Sequence, residues 1–144
     1  MSRHLPGFTL IELLIVLGIM TMLAAVVLAL IDPPRRLADA RDVVRLSDMN
    51  TIINAMHGYI IDHHGSLPPK IPVGTEEEIC RFGAQGCSGV VLDALVWDAY
   101  VPTIPVDPKA PGPQTNYFLL LRPNGLLQVR APGAERMALI EAVR

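Results

Sequence analysis

A single carboxylate, Glu12, interrupts an otherwise apolar run at residues 8–31, and this pairing constrains the chain more than any other feature. As a helix, about 24 residues at about 1.5 Å each span about 36 Å. That length crosses a hydrocarbon core of about 30 Å with some tilt. An ionisable group inside such a segment costs roughly 2.5 kcal/mol or more, so a chain that carries one is expected to supply it with a partner. The run therefore predicts a membrane-spanning helix with one charged group at or inside the lipid boundary.

What precedes the run bears on how it is processed. Residues 1–7 carry Arg3 and His4. An ordinary secretory signal places its small-residue cleavage site after the apolar core. Here the small residue at a junction is Gly7, ahead of the core, so cleavage there would remove the leader and keep the helix. A basic leader also favours a cytoplasmic N-terminus and export of the rest. Arg35 and Arg36, just past the run, weigh mildly against that orientation.

The segment Gly7-Phe8-Thr9-Leu10-Ile11-Glu12, within GFTLIELLIVLGIM, resembles the prepilin signature of type IV pilins and of the pseudopilins of type II secretion and competence systems. The resemblance covers only the first quarter of the chain, but its motif is highly specific. It implies that Gly7 is the last leader residue, cut by a prepilin peptidase, and that Phe8 is the first mature residue, N-methylated at its new amine. It places Glu12 at the fifth mature position, where the family keeps a glutamate. It implies an α+β, pilin-like fold: a long N-terminal helix, membrane-spanning in its first half, and a small C-terminal domain with a short antiparallel sheet. The implied partners are further copies of the chain, other pilins or pseudopilins, the prepilin peptidase and an inner-membrane assembly platform. The implied location is a single-pass inner membrane with the C-terminal domain exported, then a surface or periplasmic filament.

The chemistry of Glu12 is consistent with that reading. A mature chain starting at Phe8 has an ammonium group about one turn from Glu12. The two can pair within one chain, or Glu12 can meet the ammonium of a neighbour in a staggered bundle. Pairing offsets the desolvation that either charge suffers alone, and buried ion pairs are better at setting register than at adding stability. The alternative is that Glu12 only exploits the favourable dipole at a helix start.

The organisation that follows is a leader at 1–7, a spanning or filament-core helix at 8–31, an amphipathic continuation at 32–64 and a small exported domain at 65–144. Pro33 and Pro34 are expected to kink or interrupt the helix. Beyond them Leu46, Met49, Ile53, Met56 and Ile60 recur at three- and four-residue steps and predict one apolar stripe. Asp39, Arg41, Asp42, Arg45 and Asp48 are expected on other faces as weak surface pairs. Gly58 is a weak point within the helix, and Gly65 is a suitable terminator. A net charge of −2 with no basic face argues against nucleic-acid binding.

Cys80 and Cys87 are the two cysteines, an even count in an exported domain, and predict one disulfide closing a short loop. Loop entropy gives that bridge about 2–3 kcal/mol. His57, His63 and His64, with Asp62, lack the i, i+4 spacing and further ligands of a helical zinc site, so no metal is assigned. Glu76, Glu77 and Glu78 read as the solvated first turn of a small helix or a loop face, without the spaced oxygens of a calcium loop. The segment Ile104-Pro105-Val106-Asp107-Pro108 resembles the region before the sheet in many pseudopilins. There it implies a calcium site, but the acidic ligands that should follow are not evident, and Asp107 stands alone. No cofactor is expected.

Residues 90–100 predict a short helix with Leu92, Leu95 and Val96 inward. Asn124-Gly125 between two apolar runs predicts a hairpin over 116–130, its first strand apolar on both faces. Residues 134–144 have helix-forming composition, with a third strand as the alternative. The whole reads as a structural filament subunit and not an enzyme. The alternatives are a membrane-anchored binding module or enzyme that uses the helix as a tether, or a minor tip or priming pilin.

Overall fold

The computed structural model describes residues 7–137 and 140–143, so Arg3 and His4 of the leader lie outside the described residues. It forms two units that meet between Leu37 and Ala38.

In the first unit, helix α1 covers Leu10–Ile31, and none of its residues is buried. It is long and apolar enough to cross a membrane. Helix α1 ends at Asp32, whose φ of 48° and ψ of 70° are left-handed. Helix α2, Pro33–Asp62, starts at once. The interruption expected from Pro33 and Pro34 is therefore a clean break at Asp32. The prolines occupy the first turn of the new helix, where an amide hydrogen has no helical partner to lose. The Asp32 carbonyl accepts the amides of Arg35 and Arg36 at 3.1 and 3.2 Å and starts α2.

In the second unit, α2 buries Ala38, Asp42, Arg45, Met49, Ile52, Ile53, Ala55, Met56 and Tyr59. The apolar stripe expected along this helix is thus correct from Met49 onward but not at its start. Leu46 remains 39% exposed, and the inward positions before Met49 belong to Asp42 and Arg45. Helix α2 ends where Gly65 donates its amide to the Ile60 carbonyl at 2.7 Å, with His64 and Gly65 both at positive φ. That wrap satisfies a terminal carbonyl. Gly58 has a packing reason: a Cβ there would lie 3.0 Å from the Tyr100 ring.

Four strands, β1 (Glu76–Cys80), β2 (Gln114–Leu121), β3 (Leu127–Ala131) and β4 (Ile140–Val143), form an antiparallel sheet in sequence order. Strand β1 corrects the expectation of a helix turn or loop at Glu76–Glu78. Three glutamates disfavour a strand by propensity, but here two of them have partners. Glu76 meets Arg130 on β3, with Nε to Oε1 at 2.8 Å, and Glu78 accepts the Asn116 amide at 2.9 Å. Strand β4 settles the C-terminal alternatives in favour of a strand over residues 140–143. Strand β2 buries alternate residues, Thr115, Tyr117, Leu119 and Leu121, so only one of its two apolar faces is in the core. Phe118 on the other face lies under the Arg130 guanidinium, 5.5 Å from its ring centre.

The hairpin joining β2 to β3 closes with Arg122 N donating to Leu126 O at 2.9 Å, and Gly125 supplies the positive φ. This is a three-residue loop of the kind that places Gly after a type I turn. Helix α3 is shorter than expected, Asp93–Trp97, with Leu92 and Leu95 fully buried and Trp97 exposed. The inward residues of α2, β2 and β3, with Ile79, Val90, Leu92, Leu95, Val101 and Ile104, form one hydrophobic cluster.

Candidate functional site

Helix α1 begins only at Leu10, so the Gly7–Phe8 peptide bond lies in non-helical, exposed chain. Nothing lies within 4 Å of where a Gly7 Cβ would be, and Phe8 is 88% exposed. The junction is thus exposed chain without packed neighbours among the described residues.

Glu12 occupies the third position of α1 and reaches back to the residue that caps it. Its Oε2 accepts the Thr9 amide and the Thr9 hydroxyl, each at 2.8 Å, and the Glu12 amide donates to Thr9 Oγ1 at 3.3 Å. This reciprocal arrangement is a capping box. Its signal is in the sequence as Thr9-x-x-Glu12 ahead of an apolar run, although the chemistry of Glu12 alone does not reveal it. The carboxylate is thus held at the helix start, against the Thr9 amide and hydroxyl. Both contacts fall on one oxygen, and a carboxylate can accept further bonds.

The second unit holds a buried ionic cluster centred on Arg45. Its side chain is fully buried, as is that of Asp42. Nε and Nη2 donate to Asp107 Oδ2 and Oδ1 at 2.6 and 3.2 Å, and Nη1 donates to Asp42 Oδ1 at 2.7 Å. Asp42 also accepts the backbone amides of Glu135, Arg136 and Met137 at 2.8–3.3 Å, which ties the chain before β4 to α2. Arg41 clasps the Glu135 carboxylate with two bonds of 2.6 and 2.7 Å, and Lys109 Nζ reaches the same group at 2.7 Å. Arg136 meets Asp39 at 2.7 Å, and Tyr117 donates its hydroxyl to Asp48 at 2.7 Å. The five charged side chains expected as weak surface pairs on α2 are therefore the ones that bind the helix to the rest of the domain. Gly133 is required beside them, because a Cβ would lie 2.8 Å from Asp107 Oδ2.

This cluster corrects the reading of Asp107 as an isolated calcium candidate. Its oxygens already accept the guanidinium of Arg45 and the Lys109 amide, at 2.7 Å for the latter. Among the described residues no group of three or more His, Cys, Asp or Glu side chains is placed to hold a metal ion. Of the histidines, His63 stacks on Tyr59 with ring centres 3.8 Å apart and contacts the Tyr59 carbonyl at 2.9 Å. Cys80 and Cys87 are joined by a disulfide with Cα atoms 6.0 Å apart. That loop flanks β1, where Val90 and the Glu78–Cys80 backbone exchange hydrogen bonds of 2.8 and 2.9 Å.

Burial pushes the Asp42 carboxyl up, but the three amides and Arg45 outweigh it and bring the pKa down to about 2. Asp107 is likewise lowered, with Arg45 outweighing its burial, and Glu135 is lowered chiefly by Arg41 and Lys109. Their stabilising effect is therefore complete above the ordinary carboxylate range near pH 4 and is lost as pH falls through the lowered values. Asp48 is raised by burial and works in the opposite direction. Urea midpoints are expected to be flat from about pH 8 to about pH 5 and to drop steeply between about pH 4 and about pH 2. A midpoint unchanged at about pH 3 would contradict this assignment.

Residues 6–28 match the family described as the prokaryotic N-terminal methylation motif, the prepilin-type motif of type IV pilins and pseudopilins. No curated protein and no solved structure matches the chain. The motif marks the chain as a prepilin-type substrate, and its bearers are processed by prepilin peptidase and assemble with other pilins. They are generally structural subunits and not enzymes. The apolar α1 beside the N-terminus suits membrane anchoring.

Proposed function

We propose that this chain is a structural subunit of a type IV pilus or pseudopilus, cut after Gly7, methylated at the Phe8 amine and assembled into a filament through α1. One observation carries the proposal: the methylation motif at residues 6–28 covers most of α1, an apolar, unburied helix whose one charged residue, Glu12, lies near its start. In the membrane that surface is covered by lipid. After extraction, neighbouring α1 helices cover it instead. Exchange between two apolar surroundings yields little free energy, so packing and polar pairing decide whether a subunit is incorporated.

Glu12 then has two roles. Its bonds to Thr9 start the helix, and its remaining accepting capacity meets the Phe8 ammonium of an adjacent copy. The exported domain extends outward on α2 with its buried ionic cluster intact. Partners on this reading are further copies, related pilins, the peptidase and the inner-membrane assembly platform.

Processing and assembly are tested separately. Gly7→Leu is expected to leave the leader attached, as read from the intact mass of the membrane-bound protein; loss of residues 1–7 in that variant would refute the junction. Glu12→Ala is expected to be cleaved and membrane-inserted normally, with fibre yield at least about tenfold lower, the change that about 1.4 kcal/mol per subunit contact produces. Fibres at wild-type yield would remove Glu12 from assembly.

A further inference from the structure

Trp97, the chain's only tryptophan, ends α3 and is 73% exposed, although Leu92 and Leu95 beside it are fully buried. The short helix is thus anchored in the core while its indole stands in solvent. With Pro69, Lys70, Val91, Asp93 and Ala94, Trp97 lines a groove of about 170 Å³. Lys70, in the groove, and Ala99, two residues beyond Trp97, hold left-handed φ values of 68° and 62°. A residue with a Cβ adopts that conformation at a cost, and such strain clusters at ligand clamps.

The polar groups of the groove carry opposite charges. Lys70 makes no hydrogen bond or ion pair among the described residues. Asp93 accepts the Gly83 amide at 3.4 and 3.3 Å for its two oxygens, and a carboxylate can accept further bonds.

We propose that this groove binds one pyranose ring of a neutral saccharide, stacked on Trp97 with its hydroxyls bonded to Lys70 and Asp93. The inference is independent of the filament reading. Charge selects the ligand. Whatever covers the groove takes water from both charged groups, and each then needs a partner. An anion would satisfy Lys70 but face Asp93, and a cation would do the reverse. An apolar side chain would satisfy neither. A sugar hydroxyl both donates and accepts, so one uncharged ring serves the carboxylate and the ammonium together. Its C–H face, slightly positive, meets the electron-rich face of the indole. Size agrees. The groove is smaller than the roughly 300 Å³ at which drug-sized pockets begin, so it takes one ring and leaves the rest of the ligand in solvent. A protein partner engages about 20–30 residues a side, far more than line this groove.

Because the chain has one tryptophan, its fluorescence reports this site alone. The test uses the full-length chain in a polyoxyethylene detergent, whose headgroup carries no sugar. It is titrated with neutral trisaccharides of glucose, galactose, mannose and N-acetylglucosamine, and with sialyllactose and chitosan trisaccharide as the anion and the cation. At least one neutral trisaccharide is expected to shift the emission saturably at millimolar concentration, with no response to the two charged sugars. Saturation-transfer NMR of the same sugar is expected to lose its signal in Trp97→Ala. Lys70→Asn, which tolerates the left-handed backbone, should weaken binding about tenfold. Both side chains are exposed, so urea midpoints should match the wild type. Emission that no neutral sugar moves would overturn the proposal without recourse to any variant. So would a response to the charged sugars alone, undiminished transfer in Trp97→Ala or unchanged affinity in Lys70→Asn.

Discussion

Arg45→Ala is expected to lower the stability of the second unit by about 3–5 kcal/mol, the range seen when one member of a buried ion pair is removed. The guanidinium is fully buried and bonds Asp42 and Asp107 directly, with Glu135 at 3.3 Å. Without it, Asp107 keeps its charge in a site from which water is excluded, with the Lys109 amide among its few donors. Asp42 suffers less because three backbone amides still point at it. The loss should therefore be smaller when Asp107 is neutralised as well. Arg45→Ala combined with Asp107→Asn is expected to regain part of the deficit, a coupling that a double-mutant cycle reads directly. Urea unfolding followed by the near-ultraviolet signal of the tyrosines supplies the measurement. A single-variant loss under about 1 kcal/mol would mean that the cluster is a surface feature.

The second large effect is expected at Gly89. A Cβ on this residue would lie 1.9 Å from the Glu78 carbonyl oxygen and 2.9 Å from its carbon, both backbone atoms that no rotamer change can move. Gly89→Ala must therefore push residues 89–91 away from β1. The cost includes the bonds from Val90 N to Glu78 O and from Cys80 N to Val90 O. Val90 is also 1% exposed within the core cluster, and its displacement opens a gap there. Two backbone hydrogen bonds at about 1 kcal/mol each and a partly lost valine at about 1–2 kcal/mol give a loss of about 3 kcal/mol. Gly86→Ala is the comparison: its φ of 74° strains an alanine, but nothing lies within 4 Å, so its cost should stay near about 1 kcal/mol. Equal losses at the two sites would refute the close approach at Gly89.

Much of this architecture was legible in the residues, and what was not has identifiable reasons. The hairpin at Asn124-Gly125 and the alternation through Tyr117, Leu119 and Leu121 are local signals, and local rules captured them. Hydrophobicity shows both faces of β2 as apolar, but it does not say that only the face of Tyr117, Leu119 and Leu121 is buried while Arg130 covers Phe118. Strand β1 was hidden because Glu76 and Glu78 find their partners on other strands, more than thirty residues along the chain. Asp42 and Arg45 were misplaced for a related reason. They stand in phase with Ala38, Met49, Ile52 and Met56, so helical spacing alone pointed them inward; their charge pointed them outward. Spacing prevailed because Asp107 and the chain at 135–137 complete their bonding.

The capping box at Thr9 and Glu12 has a separate lesson. A residue proposed to act in assembly can also have a local role, and Glu12→Ala removes both. Glu12→Gln separates them, since an amide can still accept from Thr9 but carries no charge to pair with an ammonium. Helix formation should survive in that variant while fibre incorporation suffers.

The most direct measurement is a map of the assembled fibre at side-chain resolution. The account predicts mature subunits beginning at methylated Phe8, with the Glu12 carboxylate within about 4 Å of the Phe8 nitrogen of an adjoining subunit. A fibre in which Glu12 faces water or contacts only Thr9 of its own chain, with no foreign ammonium near it, would contradict the account.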